Sequence, residues 1–264
     1  MRRDVTSRIE LSVTEPADLV FAVGVSRHYE PTHEELTATV DGVPCEVTNI
    51  RDVHGTRLHR VQPSTGAFAL EYSASILGAG ATATASDVDP IVYTRPSRYA
   101  ESDALAPTAA AEFAGIDDPA DLVAAVSSWV GTRLAYVSGS SLPTDGAVRT
   151  LLSRTGVCRD YAHVCVALLR ALGVPARLVS VYAPGLDPMD FHAVAEAWVD
   201  GHWRVMDATT LAPRDTLVRI ATGRDAADTA FLTVMSGRAD LQSMTVTAVA
   251  DELPDDVTRL VSIA

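Results

Sequence analysis

The chain has 264 residues, of which 47% are hydrophobic and 21% charged, and this ordinary globular composition leaves room for one large domain or two modest ones. A net charge of −13 argues against a nucleic-acid partner, because such a partner normally requires a basic protein face. Three cysteines do not make a disulfide framework, and we find no signal-peptide pattern and no apolar run of about 18 residues. We therefore expect a cytoplasmic protein with no membrane partner.

Residues 1–95 are predicted to form a β-rich N-terminal domain. Hydrophobic and polar residues alternate in several short runs, and the longest covers residues 68–76. A period of two places alternate side chains on one face of a strand. Asp41 and Gly42 predict a hairpin turn, because both residue types tolerate a positive φ. Several short strands at this spacing indicate an antiparallel β-sandwich.

Residues 96–116 are predicted to be a connecting segment. Pro96, Pro107 and several alanine and serine residues interrupt any hydrophobic period here. We expect an extended connection between the two halves of the chain.

Residues 117–264 begin with a helical pattern. Asp118 and Pro119 predict a helix start, and a second, short helix is expected after Thr144. A third helix contains Cys158 and is expected to stop near Gly173.

The pattern then changes to strands, with a turn expected at Asp200 and Gly201. The predicted strands cover residues 177–182, 193–199, 203–206, 216–221, 230–234 and 244–249. Helices followed by an antiparallel sheet give an α+β fold class.

Cys158 lies where a loop turns into the third helix. Gly156 allows a sharp bend before the helix, and the partial positive charge of a helix amino end favours a reactive thiolate. The N–H groups at the same end are suited to holding the oxyanion of an acyl-transfer intermediate. Most free cysteines are instead small buried hydrophobic residues, and the position of Cys158 alone does not separate these alternatives.

His192 and Asp207 are predicted to be diagonal neighbours in a hairpin. A turn of two or four residues centred between Asp200 and Gly201 places residue 194 opposite residue 207. The His192 side chain then emerges on the same face as Asp207, whose carboxylate can orient the imidazole. A three-residue turn would put the two side chains on opposite faces. Taken singly, His192 is also compatible with a core histidine and Asp207 with a residue of a strand-end turn.

Three segments carry a resemblance to a known family, and they are residues 156–163, 190–193 and 201–209. They resemble the bacterial transglutaminase-like superfamily, which has a papain-like core of a nucleophile helix packed on an antiparallel sheet. The likeness is greatest to its two-domain members described as cysteine protease candidates, and it extends to residues 95–99 and 223–228. The resemblance implies that Cys158 is the nucleophile, His192 the general base and acid, and Asp207 the orienting carboxylate.

Tyr136 lies where such proteins often have an aromatic residue before the nucleophile loop. An oxyanion or substrate-wall role is implied by the resemblance, and core packing is the alternative. No metal or other cofactor is expected, because Cys165 has no close set of further ligands.

The expected function is a cysteine peptidase or amidase with a Cys-His-Asp triad that hydrolyses peptide or amide bonds of a peptide or protein substrate. The alternatives are a protein-glutamine acyltransferase (a transglutaminase) and a non-catalytic interaction module. The oligomeric state and the role of the N-terminal domain are left open.

Overall fold

A computed structural model describes residues 1–256 and 260–263 of the chain. The strands and helices run in the order β1 (Arg2–Phe21), β2 (His33–Val40), β3 (Val43–Pro44), β4 (Thr48–Arg51), β5 (Arg57–Val61), β6 (Gly66–Leu77), α1 (Asp89–Val92), α2 (Ser102–Glu112), α3 (Pro119–Arg133), β7 (Ala135–Tyr136), α4 (Ala147–Ser153), β8 (Thr155–Gly156), α5 (Cys158–Ala171), β9 (Ala176–Tyr182), β10 (Phe191–Val199), β11 (His202–Met206), β12 (Val218–Gly223) and β13 (Leu232–Ala250). The α+β class with a large antiparallel sheet is confirmed. None of the helices in the described ranges has the length and apolarity that crossing a membrane would require.

The front half is an antiparallel sheet built around the long strand β1. Hydrogen bonds join its strands in the order β3-β2-β6-β1-β5-β4, and β13 pairs with β1 as a seventh strand. Alternate residues of β1 and β6 are buried, including all five apolar positions of the predicted run 68–76. The strands predicted for a sandwich are thus hydrogen-bonded into one seven-stranded sheet, and its buried side chains form an apolar core.

Strand β13 differs from the prediction. Residues 230–234 and 244–249 were expected to be two strands of the C-terminal part, whereas the structure has one continuous strand that pairs with β1 from Arg3↔Ala250 to Phe21↔Leu232. Most of its central residues are exposed, so the alternation that marks a half-buried strand is missing from the sequence. The predicted division into 1–95, 96–116 and 117–264 stays a prediction, and β13 ties its first and last parts together.

The extended conformation predicted for 96–116 is wrong, because α2 occupies its centre. Pro107 lies inside this helix, although a proline within a segment usually indicates a break. The segment is rich in alanine, the strongest helix former, and it buries Leu105 and Ala109 in the core that α5 shares. Propensity and tertiary packing together outweigh the proline.

The second half has α5 packed on a four-stranded antiparallel sheet of order β11-β10-β9-β12. Every residue of α5 from Asp160 to Arg170 is buried, and α2, α3 and α4 also pack against it. The β10–β11 turn has two residues, Asp200 and Gly201, both with positive φ. Strands β10 and β11 pair with Ala195 opposite Met206, and this register agrees with the predicted placement of residue 194 opposite residue 207.

The two halves share a packed interface. The Tyr182 hydroxyl at the end of β9 donates to the Val23 carbonyl at 2.9 Å and lies 3.0 Å from the Ser7 hydroxyl. Val218 and Ile220 of β12 belong to the same apolar core as the front sheet. The front sheet therefore packs against the second sheet at the edge strand β12 and at the end of β9.

Candidate active site

Cys158 is the first residue of α5, as predicted. The preceding Val157 N–H donates to Asp160 Oδ2 at 2.9 Å, which satisfies one of the backbone donors at the helix start. A Cβ on Gly156 would lie 2.7 Å from the Asp160 Cβ. Glycine is thus needed here because Asp160 approaches closely, and this reason differs from the sharp bend that the sequence suggested.

His192 and Asp207 meet as the hairpin argument predicted. His192 Nε2 lies 2.7 Å from Asp207 Oδ2, and both side chains are buried. The second carboxylate oxygen, Oδ1, accepts hydrogen bonds from the Thr209 N–H at 2.9 Å and the Thr209 hydroxyl at 2.6 Å. Both carboxylate oxygens are therefore bonded, and the plane of the carboxylate is fixed.

The other ring nitrogen, His192 Nδ1, is buried and has no hydrogen-bond partner among the described residues. The Cys158 thiol lies beside the ring and contributes to its charge state. Burial alone would lower the pKa of His192, but attraction to Asp207 and then to Cys158 raises it above the ordinary value of 6.5. Burial likewise opposes the charge on Asp207, and its interaction with His192 lowers the Asp207 pKa.

Cys158 and His192 line a cleft of about 500 Å³. Its other lining residues come from both halves of the chain and are Ala22, Tyr99, Pro143, Arg159, Leu178, Ser180, Asp190, Phe191, Ala193, Ile220, Ala226, Ala227, Thr229, Ala230, Phe231, Leu232 and Met244. A cysteine beside a histidine that is bonded to a carboxylate, at a mostly apolar cleft, has the geometry of a site for acyl transfer.

Tyr136 is placed next to the nucleophile loop, where its backbone pairs with Gly156. Its ring is half-exposed and lies 6.0 Å from the ring of Tyr161, centroid to centroid. Burial, followed by the influence of Cys158, raises the pKa of Tyr136 to about 12. The phenol is thus protonated at neutral pH and able to donate a hydrogen bond near the sulfur.

Residues 224–231, here called the wall segment, were not assigned a site role from the sequence. The wall segment is fixed to the nucleophile helix, because the Ala226 N–H donates to His163 Nε2 at 3.1 Å. Asp225 Oδ2 accepts the Tyr99 N–H at 2.8 Å. The sequence signal was the motif at 223–228, which the family likeness singled out without a role.

Cys165 is buried in the core of the second half. Within residues 1–256 and 260–263, no three His, Cys, Asp or Glu side chains are grouped as a metal site would need.

Comparisons with known proteins relate the chain to a family. The model of the transglutaminase-like superfamily matches residues 107–208, a range that contains Cys158, His192 and Asp207. The crystal structure of a candidate cysteine protease from Cytophaga hutchinsonii is 33% identical, covers 96% of this chain and 92% of that protein, and superposes with a TM-score of 0.87.

Two curated mycobacterial relatives are uncharacterised proteins. One, from Mycobacterium leprae, is 30% identical over 46% of this chain and 47% of its own length. The other, from Mycobacterium tuberculosis, is 30% identical over 76% of this chain and 65% of its own length. The chain thus spans about half to two thirds of these relatives. With the Cytophaga hutchinsonii protein matched along almost its whole length, the chain belongs to the transglutaminase-like superfamily.

Proposed function

We propose that this protein is a thiol-dependent acyl-transfer enzyme, a cysteine peptidase or amidase that hydrolyses peptide or amide bonds. The observation that carries the proposal is the arrangement of His192. One nitrogen of its ring is 2.7 Å from Asp207, and the other has no hydrogen-bond partner among the described residues and is available to the Cys158 thiol, which lines the same cleft. This is the order of groups that an activated nucleophile requires.

The first step is attack by the Cys158 sulfur on a substrate carbonyl. A sulfur–carbon bond forms while the carbonyl π electrons move to the oxygen. The raised pKa of His192 keeps its ring protonated at neutral pH. An imidazolium beside a cysteine sulfur favours the form of the sulfur that attacks a carbonyl. Backbone N–H groups at the start of α5 stabilise the oxyanion.

The imidazolium then gives its proton to the leaving amine as the carbon–nitrogen bond breaks. A thioester remains on Cys158, and His192 takes a proton from water, which attacks the thioester and releases the acid. Asp207 stays ionised throughout, because its lowered pKa and its bonds to His192 and Thr209 favour the carboxylate.

Tyr136 is proposed as an additional donor to the oxyanion. Its phenol is protonated, half-exposed and close enough to Cys158 for that residue to raise the pKa of Tyr136. Tyr136→Phe removes only the hydroxyl and is expected to slow acylation about tenfold. An unchanged acylation rate would mean that Tyr136 serves only in packing.

Thiol reactivity tests the proposal without a known substrate. Cys158 is expected to react with iodoacetamide much faster at neutral pH than the same cysteine in denatured protein, with Cys45 and Cys165 as internal references. His192→Ala should remove this advantage, whereas His202→Ala, an exposed histidine on the neighbouring strand, should keep it. Labelling as slow as in the denatured chain would defeat the proposal and favour an interaction module.

The fate of the acyl group distinguishes hydrolysis from transfer. A peptide and amide library should give free acids with the wild-type protein and none with Cys158→Ser. Incorporation of a primary-amine probe into a glutamine peptide would instead identify a protein-glutamine acyltransferase.

A further inference from the structure

The cleft beside Cys158 is walled by both halves of the chain. Phe191 and Ala193 of β10 form the side next to His192. Phe231, Leu232 and Met244, which belong to the wall segment and to β13 of the front sheet, extend this apolar wall from Phe191. The front sheet is thus part of the cleft in which the proposed chemistry takes place.

The apolar side chains of this wall are only partly covered. Phe191, Phe231, Leu232 and Met244 each keep part of their surface exposed although they pack against the front core. Beside them, the small side chains at 226, 227 and 230 are alanines and leave the space open. A preformed apolar cleft with a few polar groups is typical of a ligand site.

The wall is rigid. The rings of Phe191 and Phe231 are stacked with centroids 5.7 Å apart, and Phe191 also contacts Tyr182 at 5.5 Å. The Phe231 carbonyl accepts the Ala22 N–H at 3.0 Å. Because Tyr182 is anchored to the front sheet, the aromatic pair is held in place before a ligand arrives.

Charged groups in the cleft are already engaged. Arg159 donates to the Ser141 hydroxyl and the Leu142 carbonyl, both at 2.6 Å. Asp190 accepts the N–H of Phe191 at 2.7 Å. Among the described lining residues, the remaining ionisable groups are the proposed Cys158–His192 pair and Tyr99.

We propose that this wall binds a large apolar side chain, aromatic or branched aliphatic, next to the scissile bond of the substrate. The wall segment thereby determines specificity through Phe231, and the front sheet through Leu232 and Met244. This inference rests on the proposed function, because it assigns a substrate class to the same cleft.

Three chloroacetamides that share one reactive group test the inference. In each, the Cys158 thiolate displaces chloride, so that a sulfur–carbon bond forms as the carbon–chlorine bond breaks. The reagents are chloroacetamide itself, its N-benzyl derivative and its N-carboxymethyl derivative. Burial of the benzyl ring should make the N-benzyl reagent at least about tenfold faster than the N-carboxymethyl reagent in the wild-type protein.

Variants of the wall test whether it causes the preference for the N-benzyl reagent over the N-carboxymethyl reagent. Phe231→Ala should lower the ratio of the two rates several-fold, and Phe231→Leu should retain part of it. Ala227→Phe narrows the cleft without removing a core side chain and should also lower the ratio. Val249→Ala, an exposed apolar position at the far end of β13, is the matched control and should keep the wild-type ratio.

The outcomes separate the two proposals. Equal rates for the two substituted reagents, with fast reaction of chloroacetamide itself, would overturn this inference and leave the proposed function standing. A preference that survives both Phe231→Ala and Ala227→Phe would also overturn it. Reaction as slow as in denatured protein for all three reagents would overturn the proposed function and this inference together.

Discussion

Asp207 is bonded through both of its oxygens, to His192 on one side and to Thr209 on the other. Loss of the Thr209 contacts would let the carboxylate rotate and would leave a buried oxygen unsatisfied. Thr209 is thus a positioning residue, since it acts on the imidazole only through Asp207.

We expect Thr209→Val to slow alkylation of Cys158 by about tenfold at neutral pH, because the imidazolium is less well oriented. Thr209→Ser keeps the hydroxyl and should restore most of the rate. The pH profile of alkylation provides the discriminating measurement. Weaker support from Asp207 lowers the raised pKa of His192, so the loss of rate in the valine variant should grow as pH rises from mildly acid to neutral. Equal rates for the valine and serine variants at every pH would assign Thr209 a structural role only.

At the residue scale, the sequence was informative where backbone geometry is regular. The two-residue turn at Asp200 and Gly201 fixes the hairpin register, so that the proximity of His192 and Asp207 could be worked out from spacing. The role of Phe231 could not be predicted from spacing, because its neighbours in space come from distant parts of the chain.

At the element scale, α3 is positioned by a close approach to the turn after β11. A Cβ on Gly131 would lie 2.8 Å from the Ala208 carbonyl oxygen, directly after Asp207. Alanine is favoured over glycine in a helix by about 1 kcal/mol, but this contact forces the backbone of the turn to shift.

We therefore expect Gly131→Ala to give no stabilisation and to slow Cys158 alkylation several-fold through displacement of Asp207. Ser128→Ala, an exposed position on the same helix, is the control and should be neutral or slightly stabilising. Urea denaturation and the alkylation rate provide the two readouts. A Gly131→Ala protein that gains about 1 kcal/mol and reacts at the wild-type rate would contradict this packing argument.

Elements with strong local signals were predictable. Asp118 accepts the N–H groups of Ala120 and Asp121 at the start of α3, and Gly173 follows α5 with a positive φ. Helix α2 was missed because Pro107 suggested a break, and β13 was missed because its exposed centre carries no alternation. In both cases tertiary pairing decides the structure, and a single sequence does not display it.

At the scale of the whole molecule, a buried ionic cluster joins three strands of the second sheet, β9, β10 and β12. Glu196 of β10 accepts from Arg219 at 3.0 Å and from Arg177 at 2.7 Å, and all three side chains are fully buried. Burial alone would raise the pKa of Glu196, but the Arg219 and Arg177 guanidinium groups lower it to about 2.

A lowered carboxyl pKa contributes stability above its unfolded-state value of 4.5 and loses it as pH falls toward the folded-state value. We expect the free energy of unfolding to fall by a few kcal/mol between about pH 5 and pH 2 through this group alone. Glu196→Gln should flatten that dependence and destabilise the protein at neutral pH by about 3 kcal/mol, since two buried cations lose their partner. Glu35→Gln, at an exposed position of β2, is the control for urea denaturation at several pH values. If the free energy of unfolding of the Glu196 variant falls with pH as steeply as that of the wild-type protein, the proposed link between Glu196 ionisation and stability is contradicted.

The pairing of β13 with β1 makes the two halves interdependent. Residues 117–264 expressed alone should show no cooperative unfolding transition, because β13 then has no partner strand. Co-expression with residues 1–116 should restore it. A well-dispersed NMR spectrum from residues 117–264 alone would show that this part is an independent domain.

The pH dependence of Cys158 alkylation by iodoacetamide tests the central claim most directly. If the sulfur is held beside a protonated His192, the wild-type protein should react at about pH 6 at least tenfold faster than the denatured chain, and the advantage should vanish in His192→Ala but persist in His202→Ala. Cys158 that reacts at about pH 6 no faster in the folded protein than in the denatured chain, with no effect of His192→Ala, would contradict the account.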